Sequence, residues 1–422
     1  MRDGGRLAAA IAVLYDIDGL HKPARMALKT WGESARYAGA KDRAFVSGLV
    51  LDALRRRRSL AWRMADDSHR AAVLAAVRFL WGWSLERLTA AAGELHGPGA
   101  VTEGEAGRLE LAEGLDGAPA PVRGDYPDWL DSSLSRVFGD DRAAEGEALA
   151  ARAPMDLRVN TLKADIDKVM KALAPFDPTR CDLLATAVRI AAPAASERAA
   201  PAETAPEFEK GWFEVQDLGS QIAAACAGDL RGGQVLDFCA GGGGKTLSLA
   251  AAMANKGQLY AYDSDARRLT DTVRRAQRAG VRNLQVRSPI HPNALEGLEG
   301  RMDLVFVDAP CTGSGTWRRH PDAKWRLTAQ QLARRVEEQG AVLGQAAAFV
   351  KPGGRLIYVT CSVFAEENED RIDAFLAASP AFAAAPASGP ADAFLTPRGF
   401  LRLTPRTAGT DGFFVAVLRR EA

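Results

Sequence analysis

Two cysteines stand where a thiol could do chemistry. Cys311 follows the apolar run D-L-V-F-V (303–307) within D-A-P-C-T-G-S-G-T, and Cys361 follows R-L-I-Y-V (355–359) within V-T-C-S. Each leaves the end of a buried strand in a polar, turn-forming context, where nearby cations or amide dipoles can lower a thiol pKa. Cys226 and Cys181 lack such neighbours and read as small core residues. A third motif, D-F-C-A-G-G-G-G-K-T at 237–246, follows a strand and opens a helix. Its four glycines let the backbone turn sharply and come close to a ligand. It is not the phosphate loop, whose first glycine would fall on Cys239, nor G-x-G-x-x-G, whose last would fall on Thr246 or Leu247. A small cofactor without a pyrophosphate fits better. Asp263, at the end of the next strand, is where an acid takes ribose hydroxyls in such folds. A plain helix cap is the simpler alternative for it.

Beside Cys311 runs W-R-R-H-P-D-A-K-W-R (317–326), which interleaves rings with positive charge. That composition suits phosphates and stacked bases, and it makes Arg318, Arg319, His320, Lys324 and Trp325 candidate nucleic-acid contacts. His320 could equally be a hydrogen-bonded structural residue, and Trp317 and Trp325 packing residues.

These groups need a frame that brings them together. Strand runs at 235–238, 259–262, 303–307 and 355–359 alternate with helical periods from about 246, at 266–279 and at 328–349, and 413–418 forms a last strand. The alternation predicts a parallel α/β sheet covered on both faces, with ligands outside the carboxyl ends of its strands. Earlier in the chain, Leu7, Ile11 and Leu14, then Phe45, Val46, Leu49, Val50 and Leu54, then Val73, Leu74, Val77, Leu80 and Trp81 fall at helical spacing. Arg55, Arg56, Arg57 and Arg58 close the second of these segments. They can complement a helix terminus, meet phosphate, or form a solvated face. A Gly/Pro/Ala-rich stretch at 114–127 reads as a linker. The region 126–210 reads as a small α+β connector with a strand at 157–161 and an Ala/Pro/Glu-rich loop at 191–206.

The 422 residues call for more than one domain. With 54 Lys+Arg against 53 Asp+Glu the net charge is only +1, which excludes a histone-like cationic binder. No apolar run approaches the roughly 20 residues of a transmembrane helix, and the apolar stretch at 7–15 meets Asp16 and Asp18 rather than a cleavage site. Five cysteines without C-x-x-C spacing and only five histidines give neither a disulfide framework nor a zinc site. A cytoplasmic chain with reduced thiols, no metal and no membrane partner is expected.

Taken together, D-A-P-C-T-G-S-G-T-W-R-R-H-P-D-A-K-W, V-T-C-S-V-F-A-E-E-N-E, R-V-N-T-L-K (158–163) and Q-D-L-G-S-Q (216–221) resemble the RNA 5-methylcytosine methyltransferases of the Sun/nucleolar-protein type. The resemblance runs from about 156 to 418. Residues 41–58 are similar to the NusB-like domain of the bacterial rRNA members. It implies a class I, Rossmann-like S-adenosylmethionine-dependent domain at 211–422, the connector at 126–210 and a helical NusB-like RNA-binding domain at 1–125. It also implies residue roles. Cys361 would add to carbon 6 of an unstacked cytosine, Cys311 would assist release, and Asp308 would hydrogen-bond the ring. Cys239, Ala240, Gly241, Gly242, Gly243, Gly244 and Lys245 would cradle S-adenosylmethionine. Asp263 would take its ribose, supported by Arg268, and Asp308 would also border the cofactor. A monomer acting on small-subunit rRNA is the expected form. Three alternatives stand beside it: tRNA as the substrate, a DNA cytosine methyltransferase, and a non-catalytic rRNA-binding assembly factor.

Two departures from the family pattern stand out. Gly241 occupies a position where the family usually has proline, and no acid follows Leu284-Gln285-Val286 to hold the cofactor's adenine. Ser288 or backbone carbonyls are the expected substitutes.

Overall fold

The computed structural model describes residues 1–111, 114–195, 197 and 201–422. The chain divides into two compact units. One comprises Met1–Ala153, Ala192–Ala199 and Thr316–Leu327, and the other Pro154–Ala191, Ala200–Gly315 and Thr328–Ala422. This partition differs from the expected boundaries near 126 and 211, because units follow long-range packing and not the order of the chain.

The first unit is helical. Asp3–Gly19, Ala40–Arg55 and His69–Ala75 supply Leu7, Val13, Val46, Leu49, Val73 and Leu74 to a single core. Ser68, Ser84 and Thr102 cap the helices His69–Ala75, Leu85–Ala92 and Glu103–Glu110 by accepting a backbone N–H of the first turn. The stretch expected to be a linker is instead partly packed. Ala118, Val122 and Tyr126 are buried, and a short helix forms at Ala120–Arg123. Ala112 and Glu113, just before it, lie outside the described residues.

The second unit holds two sheets. Strands β1 (Met155–Val159), β2 (Thr179–Arg180), β3 (Ala187–Ile190) and β4 (Phe213–Val215) pair antiparallel in the order β2-β3-β1-β4. The expected strand at 157–161 is β1, shifted by two residues. Part of the loop expected at 191–206 falls outside the described residues, and Ala202 and Ala205 within it are buried.

The larger sheet contains β5 (Gln234–Asp237), β6 (Gln258–Tyr262), β7 (Leu284–Arg287), β8 (Met302–Asp308), β9 (Val350–Thr360), β10 (Phe382–Ala385), β11 (Leu401–Leu403) and β12 (Phe413–Arg420). Its order is β10-β12-β9-β8-β5-β6-β7, with β11 also on β12. Strands β5 to β9 are parallel neighbours, as expected. The last strand is a correction, since β12 runs antiparallel to β9 and carries β10 and β11 antiparallel as well. Alternate residues of one strand enter opposite cores. Leu304 and Phe306 join Ile357 and Val359 on one face, and Val305 and Val307 join Leu356 and Tyr358 on the other. From β5 the chain proceeds outward through β6 and β7, then returns to place β8 on the other side of β5. That reversal opens a crevice at the carboxyl ends of β5 and β8.

Candidate active site

The glycine loop leaves β5 at this crevice. Gly241 and Gly243 have φ of +53° and +85°, which side chains avoid, and the helix Gly244–Ala252 starts directly after them. A Cβ on Gly243 would lie 2.9 Å from Thr272 Oγ1, so that glycine is needed for packing against the helix Ala266–Ala279. Thr272 Oγ1 donates to the Gly241 carbonyl (2.9 Å), and Arg275 donates to the Gly242 carbonyl (2.6 Å). Arg275 and Arg278 are themselves tied to the buried Glu214 of β4.

Asp263 follows β6 and is buried. Its carboxylate accepts the Gly241 N–H (2.8 Å) and the Asp265 N–H (2.9 Å), and Arg268 lies 3.4 Å away. Lys245 donates to Asp308 Oδ2 at 2.7 Å, joining the glycine loop to the end of β8. Burial opposes the Lys245 charge, yet Asp308, Cys361 and Asp237 hold its pKa above the ordinary value. Asp237 is fully buried, accepts Thr246 Oγ1 (2.6 Å) and has its pKa pushed up to about 7, chiefly by burial.

These residues line a cavity of about 570 Å³. Cys239, Ala240, Gly241, Gly242, Gly244, Lys245, Asp263, Arg268, Asp308, Cys311 and Cys361 all face it, and Gly243 does not. The volume suits a nucleoside-sized cofactor. The carboxylates of Asp263 and Asp308 stand on the wall among Lys245, Arg268, Arg275 and Arg335, an alternation of acid and cation that suits the ribose hydroxyls and the charged amino-acid part of S-adenosylmethionine, so the residues present fit that cofactor. Ser288 is not on the wall, which leaves backbone carbonyls as the expected partners of the adenine. Tyr262, Val342 and Gln345 are on it, the last two from the helix Ala329–Ala347, for which the sequence carries no sign of a place at the site.

Cys311 and Cys361 leave the adjacent parallel strands β8 and β9, and their sulfur atoms are 3.4 Å apart. The hydrogen bond with Cys361, burial and the charge of Glu367 raise the Cys311 pKa well above the usual thiol value. Cys239 is likewise raised, by burial and then Asp237, so the glycine-loop thiol rests protonated. Cys226 and Cys181, expected to be inert, are pushed up to about 12 and about 11 by burial.

The expected nucleic-acid contacts need correction. Lys324 is buried and donates to the Arg55 carbonyl (2.8 Å), and burial lowers its pKa to about 7. Arg318 is buried too, and its carbonyl accepts Arg55 Nη2 at 2.9 Å. Trp325 Nε1 donates to the Leu54 carbonyl (2.7 Å), while Arg319 is half-buried and His320 exposed. Most of this segment therefore locks into the helical unit. The arginine run is also matched to acids: Arg55 with Asp52 (2.8 Å), Arg56 with Asp125 (3.7 Å), Arg57 with Asp18 (2.8 Å) and Arg58 with Asp128 (2.6 Å). Its charge is largely matched within its own unit, while Arg57 and Arg58 stay about a third exposed, at 33% and 36%.

The family model for the 16S rRNA methyltransferase RsmB/F matches residues 229–419, and a ferredoxin-like domain model of RsmF/B-like methyltransferases matches residues 126–197. A probable ribosomal RNA small subunit methyltransferase B from Synechocystis is 31% identical over 306 residues, covering 70% of this chain and 67% of its own length. The chain belongs to the RsmB/F methyltransferase family. RsmB/F membership makes it an S-adenosylmethionine-dependent methyltransferase, as the sequence motifs implied. Two solved structures agree with the RsmB/F fold. The crystal structure of PH0851 has a TM-score of 0.75 at 26% identity, covering 100% of this chain and 99% of that one. A methyltransferase homolog protein from Pyrococcus horikoshii has a TM-score of 0.60 at 29% identity, covering 71% and 97%. The chain spans between 58% and 67% of the length of the curated RsmB relatives it matches. Among the described residues no helix is long and apolar enough to cross a membrane, and no group of His, Cys, Asp and Glu is arranged to hold a metal ion.

Proposed function

We propose that this chain methylates carbon 5 of a cytosine in small-subunit rRNA. The observation that carries the reading is the pair of thiols 3.4 Å apart at the mouth of a cofactor-sized cavity, next to Asp308. Carbon 5 of cytosine is a weak nucleophile, and adding a thiolate at carbon 6 makes it enamine-like. Cys361 Sγ forms that bond, and the ring electron pair moves to carbon 5. When bound, S-adenosylmethionine supplies the electrophilic methyl group. Asp308, oriented by Lys245 at 2.7 Å, accepts a hydrogen bond from the base and stabilises the adduct. Cys311 assists release: the carbon 5 proton passes to water, the electron pair of that C–H bond re-forms the 5,6 double bond, and the Sγ–carbon 6 bond breaks to return Cys361 as its thiolate. A base held in this way must be unstacked, which favours a loop or bulge of RNA over a duplex.

The rRNA assignment rests on the small-subunit methyltransferase relatives, and a monomer in the cytoplasm is the working form. The helical unit is read as NusB-like, with RNA contact through the exposed His320 and half-buried Arg319 and not through Lys324. Transfer of labelled methyl groups to purified small-subunit rRNA and to tRNA, with bisulfite mapping of the products, tests the reading. Methylation of tRNA alone would shift the substrate, and cofactor binding without transfer to either RNA would favour an assembly factor.

A further inference from the structure

The mechanism above uses two thiols but not the buried acid behind them. Glu367 lies in a short 3₁₀ turn, Ala365–Glu367, and is fully buried. Its Oε1 accepts the Thr312 N–H (2.8 Å) and Gln339 Nε2 (3.0 Å). Its Oε2 accepts the hydroxyls of Thr312 (2.5 Å) and Ser362. Thr312 directly follows Cys311, and Ser362 directly follows Cys361. One carboxylate therefore grips both cysteine loops.

The surrounding bonds reinforce that grip. Gln339 Nε2 also donates to the carbonyl of Pro310, the residue before Cys311 (2.9 Å), and Tyr358 OH donates to the Glu367 carbonyl (2.7 Å). Ser314 and Ser362 hydroxyls meet at 3.0 Å, and Asn368 Nδ2 donates to the Ser362 carbonyl (2.9 Å). No ion pair with Glu367 is formed among the described residues within 4.0 Å. Four donors fill the lone pairs of its two oxygens, which is how a buried carboxylate is tolerated without a cation.

We propose that Glu367 is a positioning residue that holds Cys311 and Cys361 as an adjacent pair, a role that rests on the two-thiol reading above. The assignment has an electrostatic side. Glu367 contributes to raising the Cys311 pKa, after the hydrogen bond with Cys361 and burial, while Lys245 is the cation that senses Cys361.

The test uses the full-length chain. A trivalent arsenical, phenylarsine oxide, bridges two thiols only when they are adjacent, so it reads the pair without RNA. Wild type should take up one equivalent through Cys311 and Cys361, and Cys311→Ala and Cys361→Ala controls should lose it. Glu367→Ala should weaken uptake at least about tenfold and cut kcat for RNA methylation on the order of a hundredfold, with cofactor affinity unchanged, because small misplacements of reacting groups carry such costs. Glu367→Gln can still accept the two fixed N–H donors through its carbonyl oxygen and should restore both readouts to within about tenfold of wild type. Ser362→Ala and Thr312→Val each sever one arm and should fall between, which keeps the test alive if Glu367→Ala does not fold. Glu367→Ala with intact arsenical uptake and kcat overturns the proposal. So does a Glu367→Gln chain that loses cofactor affinity and thermal stability along with kcat, since that marks a purely structural residue. If wild type binds the arsenical but methylates no RNA, the proposed function fails while the pairing role of Glu367 is still decided by the arsenical.

Discussion

Cys311 Sγ and Cys361 Sγ stand 3.4 Å apart, on loops that leave neighbouring parallel strands. Two thiols so placed can share one substrate carbon pair, one attacking and one assisting departure. Cys361→Ala should abolish methyl transfer. Cys311→Ala should instead accumulate a covalent protein–RNA adduct, visible as a slow band on a denaturing gel with labelled RNA. An adduct that forms in Cys361→Ala and is lost in Cys311→Ala would reverse the two roles.

Gly241 makes a sharper demand than flexibility. It has φ +53° and its N–H donates to Asp263 at 2.8 Å. Proline locks φ near −65° and has no N–H, so Gly241→Pro breaks both conditions, at roughly 3 kcal/mol or more. Calorimetric titration with S-adenosylmethionine should show binding weakened on the order of a hundredfold. Gly241→Ala should cost only about 1–2 kcal/mol, the strain of a left-handed alanine, because the nearest atom to its Cβ is the end of the exposed Arg268. The usual proline of the family could not simply be restored here.

Asp237 ties stability to pH. Its pKa is about 7 in the fold against 3.8 in the unfolded chain, so the neutral acid is the favoured buried form. That contribution is complete below the unfolded value and is lost as pH rises from about 4 through 7, by up to about 4 kcal/mol for the full shift. Asp237→Asn, which retains an acceptor for Thr246, should flatten this slope. Chemical unfolding of both proteins at pH 5 and pH 8 measures it.

Lys324 should behave as a structural residue. Removing its hydrogen bond to the Arg55 carbonyl leaves a buried acceptor without that partner, so Lys324→Ala should destabilise the helical unit by about 1–3 kcal/mol. The salt dependence of RNA affinity should be unchanged, because no phosphate contact is lost. A shallower salt slope in the folded variant would restore Lys324 to the RNA interface.

The sheet and the residues that gather around the cavity were legible because their signals are local. Apolar runs ending in Asp263, Asp308, Cys311 and Cys361 mark strand ends, and the glycines mark a turn that only they can make. Partnership between distant residues was not legible. Asp52 precedes Arg55 by three residues on one helix, but nothing near Arg56, Arg57 and Arg58 in the sequence indicates that Asp125, Asp18 and Asp128 will be there to meet them. Lys324 reads as a surface cation until the fold buries it. The antiparallel return of β12 depends on pairing Phe414 with Thr360 and Val417 with Ile357, a register no period reveals. Glu367 lies in the stretch V-T-C-S-V-F-A-E-E-N-E, yet its task appears only when Thr312 and Ser362 converge on it.

The segment Thr316–Leu327 belongs to the helical unit, although it follows Cys311 by only a few residues. On a ribosome the first 153 residues therefore emerge without the strand of chain that supplies Lys324 and Trp325 to the backbone of Leu54 and Arg55. The helical unit cannot reach its final packing until synthesis has passed residue 327, after β5 to β8 have already been made. Domain-by-domain folding in chain order is thus closed to this molecule, and a truncation before that point yields a helical unit with an open seam.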